Sequence, residues 1–278
     1  MSVWFITGAS RGFGKELTEA ALAQGDQVVA AARDPYAVEK ALPEAGDRLL
    51  AVALDVTDPE QAATAVHAAV ERFGRIDVLV NNAGYGLFGS VEETSDTQVR
   101  ALFDTNVFGM LNVTRAALPT LRRQRAGHVV NISSSAGFVA GPGRGLYGAS
   151  KFAVEAITEA LRGELAPLGV HATVVEPGSF RTGFLSPVSK QQAPVRIPDY
   201  DETVGALHTA IDGNDGRQPG NPAKAAAVIL ELAAADRPPL RLQLGSDCVG
   251  LVEGKLASVA EELDLWRALA VSTDFQKD

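Results

Sequence analysis

Tyr147 and Lys151 stand four residues apart, and Ser134 lies thirteen residues before the tyrosine. In a helix, positions four apart share a face, one turn from each other. A phenol titrates near ~10, and a neighbouring ammonium favours its phenolate form. A tyrosine paired in this way can exchange a proton with a substrate oxygen near neutral pH, as a general acid or base. Y-x-x-x-K alone also occurs on ordinary surface helices, so its meaning depends on which other pieces fall where the pair needs them.

A second group of residues suits an anion. Val3 to Thr7 is a short apolar run that reads as a strand buried on both faces, and Gly8-x-x-x-Gly12-x-Gly14 follows it directly. Glycines there let the backbone turn tightly and approach a pyrophosphate, while the helix that starts in the loop offers unpaired N–H groups and its positive end. The spacing departs from G-x-G-x-x-G, and it is the position after the first strand that favours phosphate. At the end of a second strand, an acidic residue would bind ribose hydroxyls and repel a 2′-phosphate, and a basic one would do the reverse. Here Arg33 follows Ala32, and Arg11 sits in the glycine loop. Two guanidiniums grip a phosphate through forked hydrogen bonds, which favours NADP(H) over NAD(H). The alternative is that Arg33 solvates a turn while Asp34 contacts the ribose.

The elements that must position these groups alternate. After the helical pattern through Leu17 and Leu22, apolar runs at Val28 to Ala32, Leu49 to Leu54, Val78 to Val80, His128 to Ile132 and Ala172 to Val175 read as strands. Between them lie helices at about Pro59 to Phe73, Thr97 to Arg123 and Tyr147 to Leu165. Such alternation implies βαβ units and a doubly wound parallel sheet with right-handed crossovers. Residues 183–222 are proline-rich and polar with at most one helix, about Glu202 to Ile211, and read as a lid or a disordered insert. A helix at Pro222 to Ala234, a last strand at Leu240 to Leu244 and a closing helix at Val249 to Leu269 complete a single domain.

Composition excludes several functions. The 278 residues are 46% hydrophobic and 21% charged, an ordinary globular balance. With 25 basic against 34 acidic residues the net charge is −9, and no basic cluster offers a surface to nucleic acid or an anionic membrane. One cysteine, Cys248, forbids an internal disulfide, and the four scattered histidines lack ligand spacing, so no metal site is expected. Neither a signal peptide nor a membrane span is legible, and the expectation is a cytoplasmic protein.

Taken together, the residues resemble the short-chain dehydrogenase/reductase family, in its single-domain branch. The matching pieces are Thr7-Gly8-x-x-x-Gly12-x-Gly14, Asp55-Val56, Asn81-Asn82-Ala83-Gly84, Asn106, Ser134, Tyr147-x-x-x-Lys151 and Pro177-Gly178-x-x-x-Thr182, in order and with the family's spacing. Asn82 to Gly86 and Ser150 to Ala153 look most like the 17β-hydroxysteroid-dehydrogenase-like group. The resemblance implies a Rossmann-type sheet of about seven strands with helices on both faces. It implies that Tyr147 is the acid that protonates a carbonyl as hydride arrives, or the base in the oxidative direction. Lys151 would lower the tyrosine pKa and hold the nicotinamide ribose, and Ser134 would bond the substrate oxygen. Asn106 would bend its helix and hold a water that links Lys151 to solvent. Asp55 and Val56 would meet the adenine, Asn82, Ala83 and Gly84 would pass under the adenosine ribose, and Thr182 would bind the carboxamide. Ser10, Arg11, Phe13, Pro177 and Gly178 would complete the cofactor contacts.

Some of this follows from the residues themselves. Ser134 sits just past a strand at the sheet edge that carries Gly8 and Gly84, and alternation turns Ser133 and Ser135 the other way. Tyr85, Leu87, Phe88, Phe138, Val139, Phe184 and Leu185 would give an apolar wall for a bulky ketone or secondary alcohol. The family commonly pairs two long helices between subunits; those at about Thr97 to Arg123 and Tyr147 to Leu165 would supply a homodimer or homotetramer here. A cofactor-binding regulator without turnover, or a non-redox use of the same fold, are the alternatives. Retention of both Tyr147 and Lys151 argues for redox chemistry.

Overall fold

A computed structural model describes residues 1–186 and 189–275. Among these residues, nine strands and nine α-helices follow one another along the chain. The strands are β1 (Val3–Thr7), β2 (Gln27–Ala32), β3 (Leu49–Ala53), β4 (Val78–Asn81), β5 (Gly86–Phe88), β6 (Gly127–Ile132), β7 (Val170–Pro177), β8 (Lys190–Gln192) and β9 (Arg241–Leu244). The helices are α1 (Gly12–Ala23), α2 (Pro35–Ala41), α3 (Pro59–Phe73), α4 (Asp96–Phe103), α5 (Met110–Gln124), α6 (Gly145–Leu165), α7 (Ala206–Asn214), α8 (Pro222–Ala234) and α9 (Ser246–Val271).

Seven strands form one parallel sheet in the order β3-β2-β1-β4-β6-β7-β9. The order reverses at β1, which pairs with β2 on one side and β4 on the other, Trp4 lying opposite both Val28 and Val78. Alternation along each strand divides the core in two. Trp4 and Ile6 face a layer with Leu17 and Ala21 of α1 and Ala225 and Ile229 of α8. Phe5 faces the opposite layer, with Ala62 and Ala69 of α3, Val113 and Leu121 of α5, and Leu161 and Leu165 of α6. Each large apolar side chain buried in these layers contributes about 1.5–3 kcal/mol, so both layers hold the strand ends firmly.

The structure adds elements that the hydrophobic pattern does not announce. Arg33-Asp34-Pro35 opens helix α2, with the Asp34 side chain accepting from the Ala37 N–H at 3.2 Å. The helix expected at about Thr97 to Arg123 is interrupted by a π-helical segment, Asp104–Gly109, between α4 and α5. The segment 183–222 is largely built of regular elements: β8 pairs with β5 in a two-stranded parallel sheet, and α7 follows a π turn at Asp201–Gly205. Pro187 of this segment lies outside the described residues.

Candidate active site

The site lies beyond the carboxyl ends of β1, β4 and β6, where the strand order reverses. Gly8 leaves β1 with φ +67°, in the region that favours glycine. A Cβ on Gly14 would meet the Gly8 carbonyl well inside contact distance and the Asn82 side-chain amide at 2.6 Å. That amide donates to the carbonyls of Thr7, at 2.9 Å, and Gly8, at 3.3 Å. Thr7 returns the contact, its hydroxyl accepting from the N–H groups of Asn82 and Ala83 at 3.0 Å each. The glycine loop and the Asn-Asn-Ala-Gly turn are therefore one hydrogen-bonded unit.

This unit leaves an anion site open. Side chains cap α2, α3, α4 and α8, from Asp34, Asp58, Ser95 and Asn221. The first turn of α1 has neither a side-chain cap nor an acidic residue, so its N–H groups and dipole face the loop uncommitted. Arg11 and Arg33 are both exposed at the edge of this loop's cleft.

The catalytic candidates converge from three elements. Tyr147 enters on the first turn of α6 and is 5% exposed. Lys151, one turn on, is buried, and its Nζ donates to the Ile132 carbonyl at the end of β6 at 3.0 Å. Ser134 caps the short turn Ser135–Gly137, its hydroxyl accepting from the Ala136 N–H at 3.1 Å, and lines the same cavity as Tyr147. Ser133 turns away: its hydroxyl lies toward Glu155, beneath the site. Asn106 occupies the π segment, so the helix does bend at this residue. Its amide is committed to the Tyr85 backbone, Oδ1 accepting at 3.1 Å and Nδ2 donating at 3.0 Å, and to the Ser150 hydroxyl at 3.1 Å. Asn106 thus pins the end of the β4 turn to α6.

Burial sets the electrostatics. It pushes the Tyr147 phenol up to about 12, opposed by Ser134 and by the Arg144 guanidinium. It pushes the Lys151 ammonium down to about 8, opposed by the negative charge of Glu155. Glu155 itself is raised to about 7, first by burial, with Ser133 and Arg241 opposing and Glu176 adding. The pull on the tyrosine comes from Ser134 and Arg144; Lys151 Nζ stands 5.9 Å from the ring centre.

One cavity of about 680 Å³ joins these parts. Every cofactor contact expected from the sequence lines it except Gly14, which lies beneath the loop. Ser134, Tyr85 and Phe184 line it too. Leu87 and Phe138 do not. Alternation along β5 buries Leu87 in the small cluster around Leu102, and it is Phe88 that reaches the cavity. Phe138 follows the Ser135–Gly137 turn, which carries it out of the lining. Phe88 and Phe184 flank the Tyr147 ring with centroids at 6.3 and 5.9 Å.

A family model described as short chain dehydrogenase matches residues 2–193, well over half of the chain. The chain belongs to the short-chain dehydrogenase/reductase family. Among curated relatives, an oxidoreductase of Botryotinia fuckeliana, BOA17, is 39% identical over 98% of both chains. A 3-ketodihydrosphingosine reductase of Bacteroides thetaiotaomicron is 35% identical over 86% of each. A short-chain dehydrogenase from Streptomyces avermitilis superposes with a TM-score of 0.92 at 41% identity, covering 99% of this chain and 100% of the other. A short-chain dehydrogenase/reductase from Burkholderia phymatum, solved with NAD, gives 0.82 at 27% identity over 94% and 95%.

Several lining residues of this short-chain dehydrogenase/reductase site were not legible beforehand. Arg144, three residues before Tyr147, lines the cavity, and its Nε is buried without a partner among the described residues. Ile211 and Gln218 close it from the segment 183–222, Gln218 being 2% exposed with both side-chain polar atoms unpaired among the described residues. A lone arginine before the motif could have been flagged by its helical spacing; Gln218 carried no signal of its own.

Proposed function

We propose that the protein is an NADP(H)-dependent oxidoreductase that interconverts a carbonyl and a secondary alcohol on an apolar substrate, with Tyr147 moving the proton. The observation that carries this reading is the convergence of Tyr147, Ser134 and Lys151 on one cavity, beside a glycine loop whose helix end is free of a cap. Bound there, a nicotinamide dinucleotide supplies or accepts the hydride. The uncapped turn of α1 would hold the pyrophosphate, Asp55 and Val56 would border the adenine, and Thr182, across from Gly12, would orient the ring.

Tyr147 gives its proton to the substrate oxygen, and Ser134 steadies the charge that develops there. Lys151 supports that transfer and holds the ribose. Arg33 and Arg11 select the 2′-phosphate: Asp34 is engaged in capping α2, which leaves the two guanidiniums to face it. Phe88, Phe184 and Leu185 favour a bulky apolar substrate, and the name of the Bacteroides relative, a ketone reductase, is consistent with that class. Phe108 and Phe152, exposed on the π segment and α6, mark the face on which a homodimer would form. Among the described residues no helix is long and apolar enough to cross a membrane.

The test is loss of NADPH absorbance with a panel of apolar ketones, wild type beside Tyr147→Phe. Turnover should fall about 10²–10⁴-fold in the variant, with NADPH affinity unchanged. A variant as active as wild type would remove Tyr147 from the chemistry.

A further inference from the structure

Beyond the edge strand β9, helix α9 runs 26 residues, and only Cys248 and Val252 near its start are buried. From Glu253 to Val271 every residue is exposed, so about 28 Å of helix projects as an arm, at 1.5 Å per residue. Gly250 and Gly254 lie within the helix, each costing about 1 kcal/mol relative to alanine. A helix of this length without packing is marginal in water.

The apolar residues of the arm follow a strict pattern. Val249, Val252, Leu256, Val259, Leu263, Trp266 and Ala270 are spaced alternately three and four apart, the seam of a two-stranded coiled coil. Beyond Val252 this seam is bare: Leu256 is 56% exposed, Leu263 54% and Trp266 59%. The helix carries five acidic residues (Asp247, Glu253, Glu261, Glu262, Asp264) against Lys255 and Arg267, which disfavours an anionic lipid surface.

We propose that α9 pairs with the α9 of a second copy of this chain, antiparallel, through this seam. In that orientation the layers are even in volume: Trp266 meets Leu256 of the partner subunit, and Leu263 meets the partner's Val259. A parallel pair would set Trp266 against its own copy and Ala270 against its own. Antiparallel arms also keep the two globular bodies at opposite ends. The flanking positions then place Glu253 beside Arg267 of the partner subunit, twice by symmetry, with Ala260 against the partner's Ala260 at the centre. Glu262 faces its own copy, the one like-charged contact in the register. This interface is separate from the α5–α6 face.

The experiment uses the full chain. Sedimentation and light scattering across a dilution series should give the wild type twice the mass of the double variant Leu256→Glu/Leu263→Glu, with cofactor binding unchanged because neither side chain packs on the body, and with helical circular dichroism lower only by the unpaired arm. Glu262→Gln should hold the larger species to lower concentration. Ala260→Cys should form a covalent dimer with a short bismaleimide, and Ala257→Cys, on the outer face, should not; Cys248, fully buried, gives a silent background. Trp266 emission should shift to the red on dilution of the wild type, while Trp4, buried in the core, does not contribute. Equal masses for wild type and double variant would overturn the proposal. So would cross-linking from Ala257→Cys and not Ala260→Cys, or arms that bind phosphatidylserine vesicles while the chain stays at the variant's mass.

Discussion

The floor of the cleft and its cover hold their residues by different means. On the floor, backbone meets backbone: Gly14 passes so close to Gly8 that no side chain fits, and Asn82 and Thr7 bind the two turns together. The cover, residues 183–222, is joined to the body by the short β5–β8 pairing and by the buried Val204 and Ile211, and is braced by polar side-chain contacts near the surface. Lys190 pairs with the exposed Asp212, Arg196 with Asp201, and the Tyr200 hydroxyl donates to Glu92. Surface ion pairs are worth little individually. A floor of this kind fixes one cofactor geometry, while a cover of this kind can be rebuilt for a new substrate without unfolding the sheet.

That contrast breaks if the floor tolerates a methyl group. Gly14→Ala should cost about 1–3 kcal/mol by overpacking and weaken NADPH binding, measured by thermal melting and by titration. Gly163→Ala is the matched control: a Cβ there meets nothing, and in a helix the change should stabilise by about 0.5–1 kcal/mol. Equal melting temperatures for the two variants would show that the Gly8–Gly14 contact relaxes freely. Next in size, Arg33→Ala should lower the ratio of kcat/KM for NADPH over NADH by about 10–100-fold, the worth of a charge-assisted phosphate contact. An unchanged ratio would return the selecting role to Asp34.

A smaller effect concerns charge beneath the floor. Glu155 raises the pKa of Lys151 against the burial that lowers it to about 8. Glu155→Gln removes that support, so Lys151 loses its proton at lower pH and the alkaline limb of the kcat/KM profile should move acidward. A limb that stays in place would mean the ammonium is held by its bond to Ile132 alone. The smallest effect belongs to the cover. Lys190→Ala should change stability by less than about 1 kcal/mol and alter KM for substrate more than kcat. A large loss of folding stability there would put the cover on the same footing as the floor.

The same division governs what the sequence revealed. Strands buried on both faces are continuous apolar runs, and their ends are marked by glycines that the backbone cannot do without. The seven-stranded sheet, the glycine loop and the Tyr147–Lys151 pair were therefore legible. Short elements held by tertiary contact were not. β5 and β8 are three residues each, too short for a period, and this is why Leu87 and Phe88 were both expected in the wall although only Phe88 reaches the cavity. Helix α2 hid behind Asp34-Pro35, a pair that reads equally as a turn or as a cap followed by the first helical residue. Arg144 and Gln218 reach the cavity only because α6 and the end of the cover converge there, a fact of three dimensions with no local signature.

The strand order carries a consequence for biosynthesis. Counted outward from β1, one side of the sheet reads β2, β3 and the other β4, β6, β7, β9, each in the sequence in which the ribosome releases it. Every new strand joins a free edge, and none has to be inserted between neighbours already paired. The nucleotide floor can consolidate while the later segments are still being made, and Tyr147 arrives only when β6 has given α6 a surface to dock on. A nascent chain of this topology grows its sheet from the middle, and completes its chemistry near the end of translation.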